Sequence, residues 1–84
     1  MTSYADLKKA IQRKAVISFD QFFLFVTQKK FVADMGISHT RLRTIKIEPM
    51  YMTMAELDRL SGLLDISVGK LAVMFKEWYT VKQQ

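Results

Sequence analysis

The side chains of this 84-residue sequence best equipped for chemistry gather between Thr27 and Lys46. Gln28, Lys29, Lys30, His39, Thr40, Arg41, Arg43, Thr44 and Lys46 supply amides, hydroxyls and cations, and no acidic residue stands between Asp34 and Glu48. Such a set donates hydrogen bonds to anions and base edges. Its single histidine, His39, has no carboxylate four residues to either side, and a cation, Arg43, stands at i+4. An exposed polar residue or a base contact is expected there, rather than a ligand or a catalyst. Elsewhere, Ser67-Val68-Gly69-Lys70 has the S-x-x-K spacing of some hydrolase nucleophiles but lacks their companion motifs, so Ser67 is expected to cap a helix. Asp20, Asp34, Asp58 and Glu77 form no evident acid–base pair. Without cysteine, and with one histidine, the chain offers no thiolate or multi-histidine metal site. No enzyme activity, cofactor or metal is expected.

The charge is unevenly spread. Thirteen Lys/Arg against eight Asp/Glu give +5 overall. Residues 1–47 hold nine bases and three acids, a net +6, while residues 48–84 hold four bases and five acids, a net −1. One basic part beside one neutral part is the footprint of a polyanion binder, although a solvated lysine-rich face gives the same tally. Half the residues are hydrophobic and a quarter charged, which suits one folded domain over 1–84 of modest stability. The apolar run Phe22-Phe23-Leu24-Phe25-Val26 is too short to span a bilayer, so no membrane partner is expected. Met1 to Asp6 show no basic region leading into an apolar stretch, so no secretory signal is expected; with the lack of cysteine, this suits a cytoplasmic location.

The elements that must position the basic set are helical. Asn-Gly and Asp-Gly turns are absent, and no period-2 alternation is sustained. Ser3 with Asp6 opens a first helix to about Lys14, with Tyr4, Leu7, Ile11 and Ala15 as its stripe. Ser18 and Gln21 form a second capping box, followed by Phe19, Phe22, Phe23 and Val26 on one face, which is expected to be core. Thr27 caps a helix to about Met35, and Gly36 ends it. Ser38 caps the next, to about Lys46, before Pro49. Thr53 with Glu56 starts a helix carrying Leu57, Leu60, Leu63 and Leu64, and Ser67 starts the last, with Leu71, Met74, Phe75 and Trp78 on a shared side. The expectation is an all-α domain of five or six short helices: an N-terminal extension over 1–17, a central helix pair over 27–47, and C-terminal helices over 53–79.

The short Gly36-Ile37-Ser38 connection makes the central pair cross steeply. On a helical wheel Leu42 and Ile45 face Val32 and Ile37, while Thr40, Arg43, Thr44 and Ile47 fall on the opposite side. A helix anchored by two aliphatic residues and projecting hydroxyls and guanidinium groups suits the major groove of double-stranded DNA. Arginine there meets guanine bidentately, and threonine meets base edges or a thymine methyl.

The segment Thr27-Gln28-Lys29-Lys30-Phe31-Val32-Ala33-Asp34-Met35-Gly36-Ile37-Ser38 resembles the helix-turn-helix of lambda-repressor-like (Cro/cI-like, XRE-family) regulators. Gln28, Gly36, Ile37 and Ser38 match the family pattern, and Leu42 and Ile45 sit where that family buries aliphatics. The likeness continues through Pro49, Thr53, Glu56-Leu57 and Leu60 to Leu63-Leu64-Asp65-Ile66-Ser67, covering about residues 19–75. Val32 stands where the family prefers alanine, Lys46 where an acid is common, and Glu48-Pro49 where a glycine is frequent. The resemblance implies a small transcriptional or mobile-element regulator that contacts bases through His39, Thr40, Arg43 and Thr44, with Gln28 near a phosphate. Lys29, Lys30, Arg41 and Lys46 are added as phosphate contacts for their charge and nearness. The alternative is a protein-interaction module, antitoxin-like or adaptor, that keeps the fold. Met50, Tyr51, Met52, Trp78 and Tyr79 are candidates for self-association, since a single half-site reader gains affinity and operator spacing from a homodimer.

Overall fold

The computed structural model describes residues 3–82; Met1 and Thr2, on which the expectation about a secretory signal partly rests, lie outside the described residues, as do Gln83 and Gln84. Five α-helices follow in order: α1 (Tyr4–Gln12), α2 (Gln28–Met35), α3 (His39–Ile47), α4 (Met54–Leu64) and α5 (Val68–Lys82). Two 3-10 helices, Phe19–Leu24 and Pro49–Tyr51, precede α2 and α4, and the described residues include no strand. The fold is all-α. No helix among the described residues is long and apolar enough to cross a membrane.

Hydroxyl caps set where the helices begin. Ser3, Thr27, Ser38, Thr53 and Ser67 each accept from the backbone N–H three residues on, at 3.0–3.3 Å. At α4 the box is complete, because the Thr53 N–H also donates to Glu56 Oε1 at 2.8 Å. Helix ends are equally local. Gly36 takes φ +67° after α2, and the Gly36 and Ile37 N–H groups turn back to Ala33 and Val32. Lys14 (φ 58°) and Asp65 (φ 56°) adopt the same left-handed conformation after α1 and α4. The turn at Lys14 stops α1 at Gln12 and leaves Ala15 exposed, so the stripe expected to include Ala15 ends at Ile11.

One expected element takes a different form. Residues 19–24 wind as a 3-10 helix, and Ser18 makes no side-chain cap bond. Gln21 Oε1 instead accepts from the Ile17 N–H at 2.6 Å, one residue before the expected box. A three-residue repeat sets Phe19 and Phe22 on one side with their rings tilted at 40°, which buries both and leaves Phe23 half-buried.

Those two rings seed the core. Phe19 and Phe22 lie 4.6 Å apart between centroids; Phe75 stacks on Phe19 at 5.6 Å, and Phe31 and Trp78 meet both rings edge-on. Leu7, Leu42, Ile45, Leu60, Leu64 and Leu71 close the core around them. Burial of Trp78 follows from its place on the Leu71–Phe75 side of α5, and Met52 is driven inward at the end of the second 3-10 helix. Both residues are therefore withdrawn from the expected self-association surface, whereas Met50, Tyr51 and Tyr79 stay exposed.

The basic N-terminal helix is tied down. Leu7 is fully buried, and the Tyr4 hydroxyl donates to Asp34 Oδ2 at 2.8 Å. Lys30 pairs with the same carboxylate at 3.2 Å and stands over the Tyr4 ring at 5.6 Å. Arg59 Nε of α4 donates to the Asp34 carbonyl at 2.9 Å, so α1, α2 and α4 meet at one residue. Burial, then the bond to Asp34, raises the Tyr4 hydroxyl well above its usual pKa; the same bond, followed by that from Lys30, holds Asp34 below the ordinary carboxylate range.

Candidate nucleic-acid interface

Two helices and a three-residue turn build the site. The Thr27 cap fixes the start of α2, the left-handed Gly36 reverses the chain, and the Ser38 cap starts α3 two residues later. Leu42 and Ile45 then seat α3 in the core at 2% and 0% exposure, with Val32 and Ile37 packed at the edge of the same core. Thr40, Arg43 and Ile47 are exposed, as the wheel predicts, and so is His39, while Thr44, expected on the same outward side, is half-buried. Thr44 Oγ1 donates to the Thr40 carbonyl at 3.4 Å.

Arg41 is held apart from this outward set. Its Nε and Nη2 donate to Glu56 Oε2 and Oε1 at 2.8 and 2.6 Å, and Nη2 also reaches the Tyr51 carbonyl at 2.7 Å. This two-pronged bond joins the first turn of α3 to the capping box of α4. The pairing, led by the Arg41 hydrogen bonds, depresses Glu56 to about 2 and raises Arg41 above its usual value. Arg41, expected at a phosphate, thus has a structural occupation.

The remaining cations divide. Gln28, His39, Arg43 and Lys46 line one polar cleft of about 510 Å³, together with Leu42, Ile47 and Asp20. Lys46 lies 3.3 Å from Asp20 Oδ1 and 5.5 Å from the Phe23 ring centroid. Lys30 is drawn toward Tyr4 and Asp34 instead, while Lys29 is exposed outside the cleft. Of the nine side chains singled out for nucleic acid, four line the cleft; Thr40, Arg41 and Thr44 share α3 without lining it, and Lys29 and Lys30 on α2 do not line it either.

No family model, curated protein or solved structure matches the chain.

Three features of the site were not legible as function. Asp20 is 26 residues from Lys46 and belongs to another element, so no local spacing announces the pair. Glu56 is recognisable as a cap, but its second role toward Arg41 depends on how α3 and α4 pack. Ile47 was already on the outward side of the wheel; its 68% exposure marks it as part of the site surface. A larger cavity of about 610 Å³ lies between α1 and α5, lined by Ile11, Val16, Leu71, Met74 and Trp78, with Lys8 and Lys14 among its polar residues.

Proposed function

We propose that the chain is a sequence-specific double-stranded DNA-binding protein, a small transcriptional or mobile-element regulator that reads the major groove with α3. The observation that carries this reading is the division of labour on α3. Two buried aliphatic residues hold the helix, and exposed His39, Thr40 and Arg43 project from it beside a cleft shared with Gln28 and Lys46. In the groove, the Arg43 guanidinium would meet guanine O6 and N7, with His39, Thr40 and Thr44 at neighbouring base edges. Gln28 and Lys46 would hold flanking phosphates and fix the register. The likeness to lambda-repressor-like helix-turn-helix regulators supports the same assignment. Exposed Met50, Tyr51 and Tyr79 would supply a homodimer contact, so that two copies read paired half-sites.

The test is a random-oligonucleotide selection on the purified chain at two salt concentrations. A recovered motif with two-fold symmetry is the expected result; binding without any motif, lost steeply as salt rises, would reduce the interaction to non-specific attraction. On the recovered motif, Arg43→Ala should weaken specific binding by about 1–3 kcal/mol and relax the preference at one base pair, as measured by titration of single-base variants. Asp20→Asn should act in the opposite direction. With the Asp20 carboxylate neutralised, Lys46 meets its phosphate without giving up an ion pair, so binding should tighten and the slope of log K against log salt should steepen.

A second reading draws on the cavity between α1 and α5, whose apolar floor suits a protein partner. On that reading the chain is an interaction module, and the selection returns no motif.

A further inference from the structure

The proposed DNA reading assigns the polar groups of α3 but leaves Ile47 without a role. Leu42 and Ile45 already anchor the helix, yet Ile47 is its last residue, 68% exposed, and lines the same cleft as His39, Arg43 and Lys46. It stands four residues after Arg43 and three after Thr44, spacings that make these side chains neighbours on one helix face. Thr44 gives its hydroxyl proton to the Thr40 carbonyl, so what it has left to present is a methyl group and oxygen lone pairs. The outward side of α3 therefore combines a guanidinium with two alkyl groups.

We infer that Ile47, with the Thr44 methyl, is an apolar reader of the 5-methyl group of a pyrimidine, thymine in an unmodified duplex, lying one or two base steps from the base met by Arg43. This inference rests on the proposed DNA reading and adds the base chemistry that the cationic groups cannot supply. The thymine methyl projects into the major groove, where it is the apolar mark that distinguishes an A·T pair. Arg43 and Ile47 are separated by a helical rise of about 6 Å, against about 3.4 Å per base step, so both can meet successive pairs when the helix follows the groove. The surroundings of Ile47 favour a nucleic acid over an apolar protein face. Covering Ile47 with protein would also desolvate Arg43 and Lys46, whereas DNA offers a methyl to one and acceptors or phosphates to the others.

The probe is a duplex recovered by selection, compared with copies in which each thymine in turn is replaced by deoxyuridine, which removes only the methyl. At one or two positions uracil should weaken binding about fourfold, the worth of one buried methyl-sized group. Ile47→Ala should bind the thymine duplex about as weakly as the native chain binds the uracil one, and should show less than about a twofold thymine–uracil difference. Because Ile47 is exposed, thermal melting of that variant should stay close to native and exclude a folding artefact. Equal affinity for thymine and uracil throughout an Arg43-dependent motif would overturn the inference and leave the DNA reading standing. The same follows if the thymine–uracil difference persists undiminished in Ile47→Ala, or if Ile47→Ala lowers self-association while leaving DNA binding intact. Recovery of no motif at all would remove both.

Discussion

Phe31→Ala should remove a large share of the chain's folding stability. Phe31 is fully buried in α2, with ring centroids 5.9 Å from Phe19, 6.2 Å from Phe22 and 5.7 Å from Phe23. Removing a buried phenylalanine ring costs about 3–5 kcal/mol, through lost transfer energy and the cavity left behind. A domain of this length has only about 4–13 kcal/mol of total stability. Thermal unfolding followed by circular dichroism should show the midpoint falling by about 15–30 °C, while Phe31→Leu, which keeps most of the volume, should lose far less. The functional consequence is specific: α2 carries the turn that starts α3, so any loss of order in α2 reaches the proposed reading helix directly. A melt unchanged by Phe31→Ala would show that the aromatic cluster does not hold the fold.

The second large effect belongs to Glu56 and depends on pH. Its carboxylate accepts from Arg41 twice and from the Thr53 N–H, so Glu56→Gln should cost about 2 kcal/mol at neutral pH by removing the charge from those bonds. The carboxyl is lowered from 4.5 to about 2 in the folded chain, chiefly by the Arg41 hydrogen bonds. A depressed folded value means that the unfolded chain takes up the proton first. The stabilisation is therefore complete above the ordinary carboxylate range and is lost as pH falls from about 4.5 toward about 2. Denaturant titrations across that interval should show stability falling with acid in the native chain, with a shallower fall in Glu56→Gln. Parallel curves for the two would remove the Arg41–Glu56 pair from the account of acid sensitivity.

What the sequence could disclose was decided by range. Five hydroxyl caps were legible because each is a contact between residues three apart, and the left-handed end at Gly36 because glycine adopts that conformation at little cost. The buried side of α3 was legible for a similar reason, since Leu42 and Ile45 stand out by spacing alone. The aromatic run before α2 was recognisable as core, but a 3-10 winding there depends on stacking against Phe31, Phe75 and Trp78, which a local pattern cannot express. Apart from Lys30–Asp34, four residues apart on α2, the polar contacts between side chains of different elements were hidden. The ion pairs Lys8–Asp65, Lys46–Asp20 and Arg41–Glu56 join residues 57, 26 and 15 positions apart, and the Tyr4–Asp34 hydrogen bond joins residues 30 apart; a long side chain has several acids within reach until the packing selects one. The basic character of the first half was therefore visible, whereas the share of it already engaged inside the molecule was not.

The guanidinium fork from Arg41 to Glu56 and Tyr51 bears on thermodynamics beyond stability. It acts with Leu42 and Ile45 to fix the direction of α3 before any ligand arrives. A helix so held loses little backbone freedom on association, so recognition should resemble the docking of a rigid body rather than folding upon contact. The heat-capacity change measured by calorimetry should then reflect only the surface covered, without the additional contribution that accompanies the ordering of a loose segment.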